Sequence, residues 1–182
     1  MLQGSRWGVK HLTYRITKYP STTRLSKKDV DETTATAFNL WQDASCLTFE
    51  QRPTGKVDIE ISFERDEHGD GIPFDGPGGT LAHAYFPRWG GAIHIDDTEL
   101  WTIDSFEGTN LLETITHQLG HSLGLSHSDV RSAIMSAFYK GYKGYNLKLD
   151  KDDVKAIQEL YGEKVDNNDF RDNNRDSNNL DK

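Results

Sequence analysis

From Leu12 to Lys18 apolar and polar residues alternate, Leu12, Tyr14 and Ile16 against Thr13, Arg15 and Thr17. A period of two sends successive side chains to opposite faces, so this stretch predicts a half-buried strand, which Pro20 ends. The period then lengthens. Ser26-Lys27-Lys28-Asp29 reads as a capping box that opens a helix with Val30, Ala37, Phe38 and Trp41 on its apolar stripe, running to about Asp43. Leu47 to Gln51 and Val57 to Phe63 predict two further strands around a Pro53-Thr54-Gly55 turn, the second with Val57, Ile59, Ile61 and Phe63 inward.

A glycine-rich stretch follows, His68-Gly69-Asp70-Gly71 and Asp75-Gly76-Pro77-Gly78-Gly79. Its composition is that of a loop, but it is dotted with residue types that bind metals. Short strands are expected at Leu81 to Phe86 and Ala92 to Ile95, a helix from Asn110 to Leu123 stopped by Gly124, and a last helix from Asp150 to Tyr161-Gly162. Glu163 to Lys182 is rich in Asn and Asp with one aromatic, Phe170, and is expected to be a disordered tail or hinge after a single domain over residues 1–162.

Composition narrows the function. A chain of 182 residues with 35% hydrophobic positions supports one core. The net charge of -8 argues against a nucleic-acid binder, which needs a clustered positive surface. Apolar runs fall far short of the roughly 20 residues of a membrane span. The one cysteine, Cys46, rules out an internal disulfide or a cysteine-rich zinc ribbon, so histidines and carboxylates must carry any metal chemistry. No apolar signal segment follows Met1, and the chain is expected to begin after such a segment has been removed.

His117-Gln118-Leu119-Gly120-His121 sets two imidazoles four residues apart on one helix face, within reach of a single ion. Gly124 allows a sharp exit from the helix that swings His127 back as a third ligand. Three neutral ligands leave a tetrahedral position for water or substrate, the catalytic zinc pattern, and the longer spacing is the metzincin signature.

With those residues in view, the chain resembles a matrix metalloproteinase catalytic domain from Gly4 through Gly162. The resemblance implies an α+β, sandwich-like fold with a twisted, mostly parallel sheet of about five strands and three helices. It makes His117, His121 and His127 the catalytic zinc ligands and Met135 the methionine turn that supports them. It assigns His68, Asp70, His83 and His94 to a closed structural zinc, so two zincs in all. It assigns Asp75, Asp96 and Glu99, with the carbonyls of Gly76, Gly78 and Thr80, to at least one calcium. A second family calcium is not expected, because Ala92 replaces a carboxylate and Asp58 is left as the main ligand.

The implied activity is zinc-dependent cleavage of extended peptides by metal-activated water, with the strand at Leu81, Ala82 and Ala84 holding the substrate. Extracellular matrix proteins are the implied substrates, protein inhibitors of metalloproteinases possible partners, and a secreted monomer the implied state. Neither a cysteine-switch propeptide nor a propeller domain is present in these residues.

Three departures matter. Gln118 stands where the family has its general-base glutamate, so the chain should bind zinc and peptide but cleave very slowly. An introduced substitution that stops self-cleavage or traps a complex is the favoured explanation, and a naturally inactive, metal-stabilised binding module of the same fold is the alternative. Ser136-Ala137-Phe138-Tyr139 replaces the family's usual proline-containing stretch, although Tyr139 remains, and Glu113 stands where relatives usually carry an apolar residue lining the substrate pocket. Glu113 should let that pocket tolerate a basic or polar side chain.

Overall fold

A computed structural model describes residues 5–21, 24–144 and 146–164. The alternating stretch forms strand β1 (His11–Lys18), with Leu12 and Tyr14 buried in the core. Helix α1 (Lys27–Ala44) starts at Ser26, whose hydroxyl accepts the Asp29 amide while the Asp29 carboxylate accepts the Ser26 amide, the reciprocal cap that the sequence predicts. Strands β2 (Thr48–Gln51), β3 (Ile59–Glu64), β4 (Ala82–Ala84) and β5 (Ile93–Asp96) follow. The expected strand at Val57 to Phe63 thus begins at Ile59, because Asp58 turns its carboxylate onto the Thr13 amide and hydroxyl (2.7 and 2.8 Å). The strand expected through Phe86 stops at Ala84, since Phe86 leads into a single 3-10 turn at Pro87–Trp89.

The five strands pair in the order β2-β1-β3-β5-β4, parallel throughout except for β4, which runs antiparallel to β5 at one edge. In that last pair His83 lies directly opposite His94. A two-residue pair, β6 (Trp101–Thr102) with β7 (Thr109–Asn110), precedes helix α2 (Leu111–Ser122), and α3 (Lys151–Tyr161) closes the fold. The sequence pattern did not signal the β6–β7 pair, which is too short for a period to show.

One core joins the elements. Leu12, Ile61, Phe63 and Ile93 of the sheet meet Phe38 and Trp41 of α1 and Ile115 and Leu119 of α2, all buried. Trp41 also donates its indole N–H to the Thr116 carbonyl (3.0 Å), fixing α1 against α2. The tail expected at 163–182 lies outside the described residues from 165 onward. Lys164 pairs with Asp43 near the end of α1, and the Glu163 carbonyl meets Cys46 just beyond it. Among the described residues no helix is long and apolar enough to cross a membrane.

Candidate active site

Helix α2 starts at Asn110, whose side-chain oxygen accepts the Glu113 amide (2.9 Å), and the chain leaves it at Gly124, where φ is +104°. A side chain at 124 would be strained in that conformation and would also strike the Ser5 carbonyl, so glycine is required for the turn. The turn brings Leu125 and His127 back beside the helix. His121 Nδ1 donates to the Leu125 carbonyl and His117 Nδ1 to the Ile134 carbonyl, both at 2.7 Å.

Because a carbonyl can only accept, each of these rings carries its proton on Nδ1 and presents an Nε2 lone pair. His121 Nε2 lies 3.1 Å from His117 Nε2 and 3.2 Å from His127 Nε2. The facing lone pairs of His117 and His121 are close enough to repel unless a cation sits between them. Nitrogens held about 2.0–2.1 Å from zinc in a tetrahedron are separated by about 3.3–3.4 Å, so the spacing fits that ion. Burial lowers the pKa of His117, and lowers that of His121 to about 4, so both rings are in the neutral, metal-binding form at neutral pH.

Met135 is buried against α2 at Gly120, where a Cβ would collide with the methionine sulfur. Its position is set by Asp153, at the start of α3, whose carboxylate accepts the amides of Ile134 (2.7 Å) and Met135 (3.0 Å). Burial raises the Asp153 pKa against the pull of those same amides. Asp153 therefore couples the third helix to the turn that orients His117 through the Ile134 carbonyl.

A second histidine cluster forms where the glycine-rich loop crosses β4 and β5. Asp70 Oδ2 lies 2.8 Å from His83 Nε2, 2.9 Å from His94 Nδ1 and 3.1 Å from His68 Nε2. His94 Nδ1 is 3.1 Å from His68 Nε2 and 3.2 Å from His83 Nε2. Four donor atoms converging in this way fit a closed zinc site. His68 donates through Nδ1 to the Asp66 carbonyl (2.9 Å), which leaves Nε2 free to ligate. Tyr85 adds a hydroxyl to Asp70 Oδ2 (3.0 Å), an outer contact that the sequence did not point to. Although burial works to raise it, the Asp70 pKa is lowered by the Ile72 amide and by its His83, Tyr85 and His94 partners.

The three carboxylates expected at calcium are placed around the same loop, but among the described residues they do not close into a third cluster. Asp96 is fully buried at the end of β5. Its Oδ1 takes the Thr98 amide and hydroxyl, while its Oδ2 is buried without a hydrogen-bond partner. Glu99 Oε1 accepts the Gly78 amide (2.5 Å), and Asp75 Oδ1 accepts the Thr80 amide (3.1 Å). A buried carboxylate oxygen without a partner fits an oxygen-seeking cation.

Beside the three histidines a cavity of about 390 Å³ is lined by Leu81, Ala82, Glu113, Gln118, Ala137 and Tyr139, among others. It runs along edge strand β4. Gln118 is buried, donates its amide to the Ala82 carbonyl (3.2 Å), and has its own oxygen buried without a partner. Tyr139 accepts the Asn110 amide on its hydroxyl (2.6 Å), which pins the segment after the methionine turn to the start of α2.

Residues 6–162 match the peptidase family model described as Matrixin. The chain belongs to the matrixin family. It is 46% identical over 165 residues to stromelysin-3 of Homo sapiens, an alignment covering 90% of this chain and 33% of that protein. It is 51% identical over 142 residues to the hatching enzyme of Paracentrotus lividus, covering 78% of this chain and 24% of that protein. With the interstitial collagenase of Equus caballus it shares 47% over 161 residues, covering 86% of this chain and 33% of that protein. This matrixin chain thus spans a third or less of the length of these relatives.

Both histidine sets named from the sequence come together in this matrixin fold; Gln118, Glu113 and Tyr139 line the cleft beside the three histidines, while Met135 is buried behind them against Gly120. Asp153 was missed as a site residue. Its signal was present as the partner of Asp150 in the α3 capping box, but that pattern speaks only of a helix start.

Proposed function

We propose that this chain is the catalytic portion of a secreted, zinc-dependent endopeptidase that acts on extended segments of extracellular proteins, in a form made nearly inactive by Gln118. The observation that carries the reading is the convergence of three histidine Nε2 atoms, two of them on rings whose protons are committed to carbonyls. Matrixin membership supports it. Zinc bound there would supply polarisation of a scissile carbonyl and an acidified water with a pKa of about 7.

The protein's own contribution is positional. Among the described residues β4 is the last strand of its sheet, so its outer side can take a substrate strand by main-chain pairing, and the cavity lined by Glu113 and Tyr139 accepts a side chain. An amide at 118 can hydrogen-bond but cannot take a proton as a carboxylate does, so the base step is missing. His68, Asp70, His83 and His94 would hold a structural zinc. Asp75, Asp96 and Glu99, with the carbonyls of Gly76, Gly78 and Thr80, would hold calcium around the orphaned Asp96 oxygen.

Elemental analysis should find two zincs per chain together with calcium, and a peptide hydroxamate, which needs an exchangeable metal position, should bind. A chain holding one zinc, or two zincs with no hydroxamate binding, overturns the reading. Gln118 itself favours a second one, a naturally inactive binding module stabilised by its metals, in which the buried Gln118 to Ala82 contact is a permanent strut.

A further inference from the structure

Glu113 is 5% exposed, yet it lies on the wall shared by two cavities. On one side is the cleft of about 390 Å³ next to His117 and His127. On the other is a chamber of about 740 Å³ whose wall includes Leu112, Lys140, Lys143 and Lys148. The carboxylate accepts the Lys140 amide (2.9 Å). The Lys140 ammonium is engaged elsewhere, on the Ser132 (3.2 Å) and Ala133 (2.5 Å) carbonyls. Among the described residues no ammonium or guanidinium lies within ion-pair distance of Glu113.

A buried carboxylate without a counter-cation is costly, and a ligand that brings one recovers part of that cost. Burial raises the Glu113 pKa, opposed by the Lys140 amide, by the more distant charges of Lys140 and Lys143, and by a second backbone amide, that of Gly141. Geometry places the group where a ligand can reach it. Glu113 and His117 lie four residues apart on one face of α2, a rise of about 6 Å, which an extended lysine or arginine side chain can span.

We propose that the cleft selects a substrate side chain ending in a cation, of lysine or arginine type, and that Glu113 is the specificity-determining residue. The inference rests on the peptide-cleft reading above. It departs from what the apolar members of the wall, Leu81, Ile134, Ala137 and Phe138, would favour by themselves, which is an aliphatic side chain.

The test uses the zinc-loaded Gln118 chain, which should bind without cleaving. Three peptide hydroxamates are compared by calorimetry, identical except for the side chain that follows the metal-binding group: aminobutyl, isobutyl, or a neutral propionamide. The aminobutyl compound should bind at least as tightly as the isobutyl one. Glu113→Gln should weaken the aminobutyl compound by about tenfold and leave isobutyl binding within about twofold, the pattern of a lost charge pair in an intact cleft. Glu113→Leu should reverse the order of preference.

Two results would overturn the proposal while leaving the cleft reading standing. One is isobutyl binding about tenfold tighter than aminobutyl, with the ratio unmoved by Glu113→Gln. The other is propionamide matching aminobutyl in both proteins. Binding of none of the three would instead overturn the cleft reading, and this inference with it.

Discussion

The two histidine clusters use the same side chain in different surroundings. The cluster of His68, Asp70, His83 and His94 draws on a loop and two strands, and three separate backbone segments bring four protein donors together. That of His117, His121 and His127 comes from one helix and the turn after it, which bring only three. Closure therefore follows from how many segments converge. The first arrangement ties distant parts of the chain and suits a structural role. The second leaves one face toward a cleft along β4, where a ligand can enter.

The largest effect expected from separating these roles is Gln118→Glu. It should raise peptide cleavage by about 10²–10⁴-fold with unchanged zinc content, because residue 118 is not a ligand. If the folded variant carries both zincs and still cleaves no member of a broad peptide library, the protease reading falls and the binding module replaces it. Next in size is Asp153→Ala, which strands the buried Ile134 and Met135 amides and should cost about 3 kcal/mol in denaturant unfolding. A loss under about 1 kcal/mol would show that the methionine turn holds itself.

His83→Ala and His127→Ala sharpen the comparison directly. The first should remove one zinc and lower stability by about 2.7 kcal/mol at free zinc about 100-fold above the site's dissociation constant. The second should abolish hydroxamate binding with a smaller loss on thermal unfolding. Equal thermal losses would erase the distinction between the clusters.

The smallest effect concerns acid. Burial lowers His121 from its ordinary 6.5 to about 4. Between those values the unfolded chain binds a proton that the metal-free native chain refuses, so stability falls as pH drops through that window and is insensitive to this group above it. Urea midpoints of the metal-free chain at pH 7 and pH 5 should therefore differ, and by less in His121→Gln. An equal difference in both proteins would remove His121 as the cause.

Much of the fold could be read locally. β1 announced itself by alternation and α1 by the Ser26 to Asp29 capping box, and both depend on neighbours a few residues apart. The three-histidine site was readable for the same reason. Helical periodicity puts His117 and His121 on one face, and a glycine at 124 permits the turn to His127 without a partner from elsewhere. The closed cluster was available only through resemblance to a family, since no local period relates His68 to His94.

The sequence by itself thus determined the residue chemistry, the helix and strand periods, and the ligand set that one helix can present. Tertiary structure decided the rest. The β4–β5 register puts His83 opposite His94, α3 delivers Asp153 to the methionine turn, and packing around the start of α2 leaves Glu113 buried on backbone amides with no described cation within ion-pair distance. The physical reason is range. Periodicity and turn chemistry are set by bonds within a few residues, whereas desolvation and donor convergence depend on segments that meet only after the core has formed.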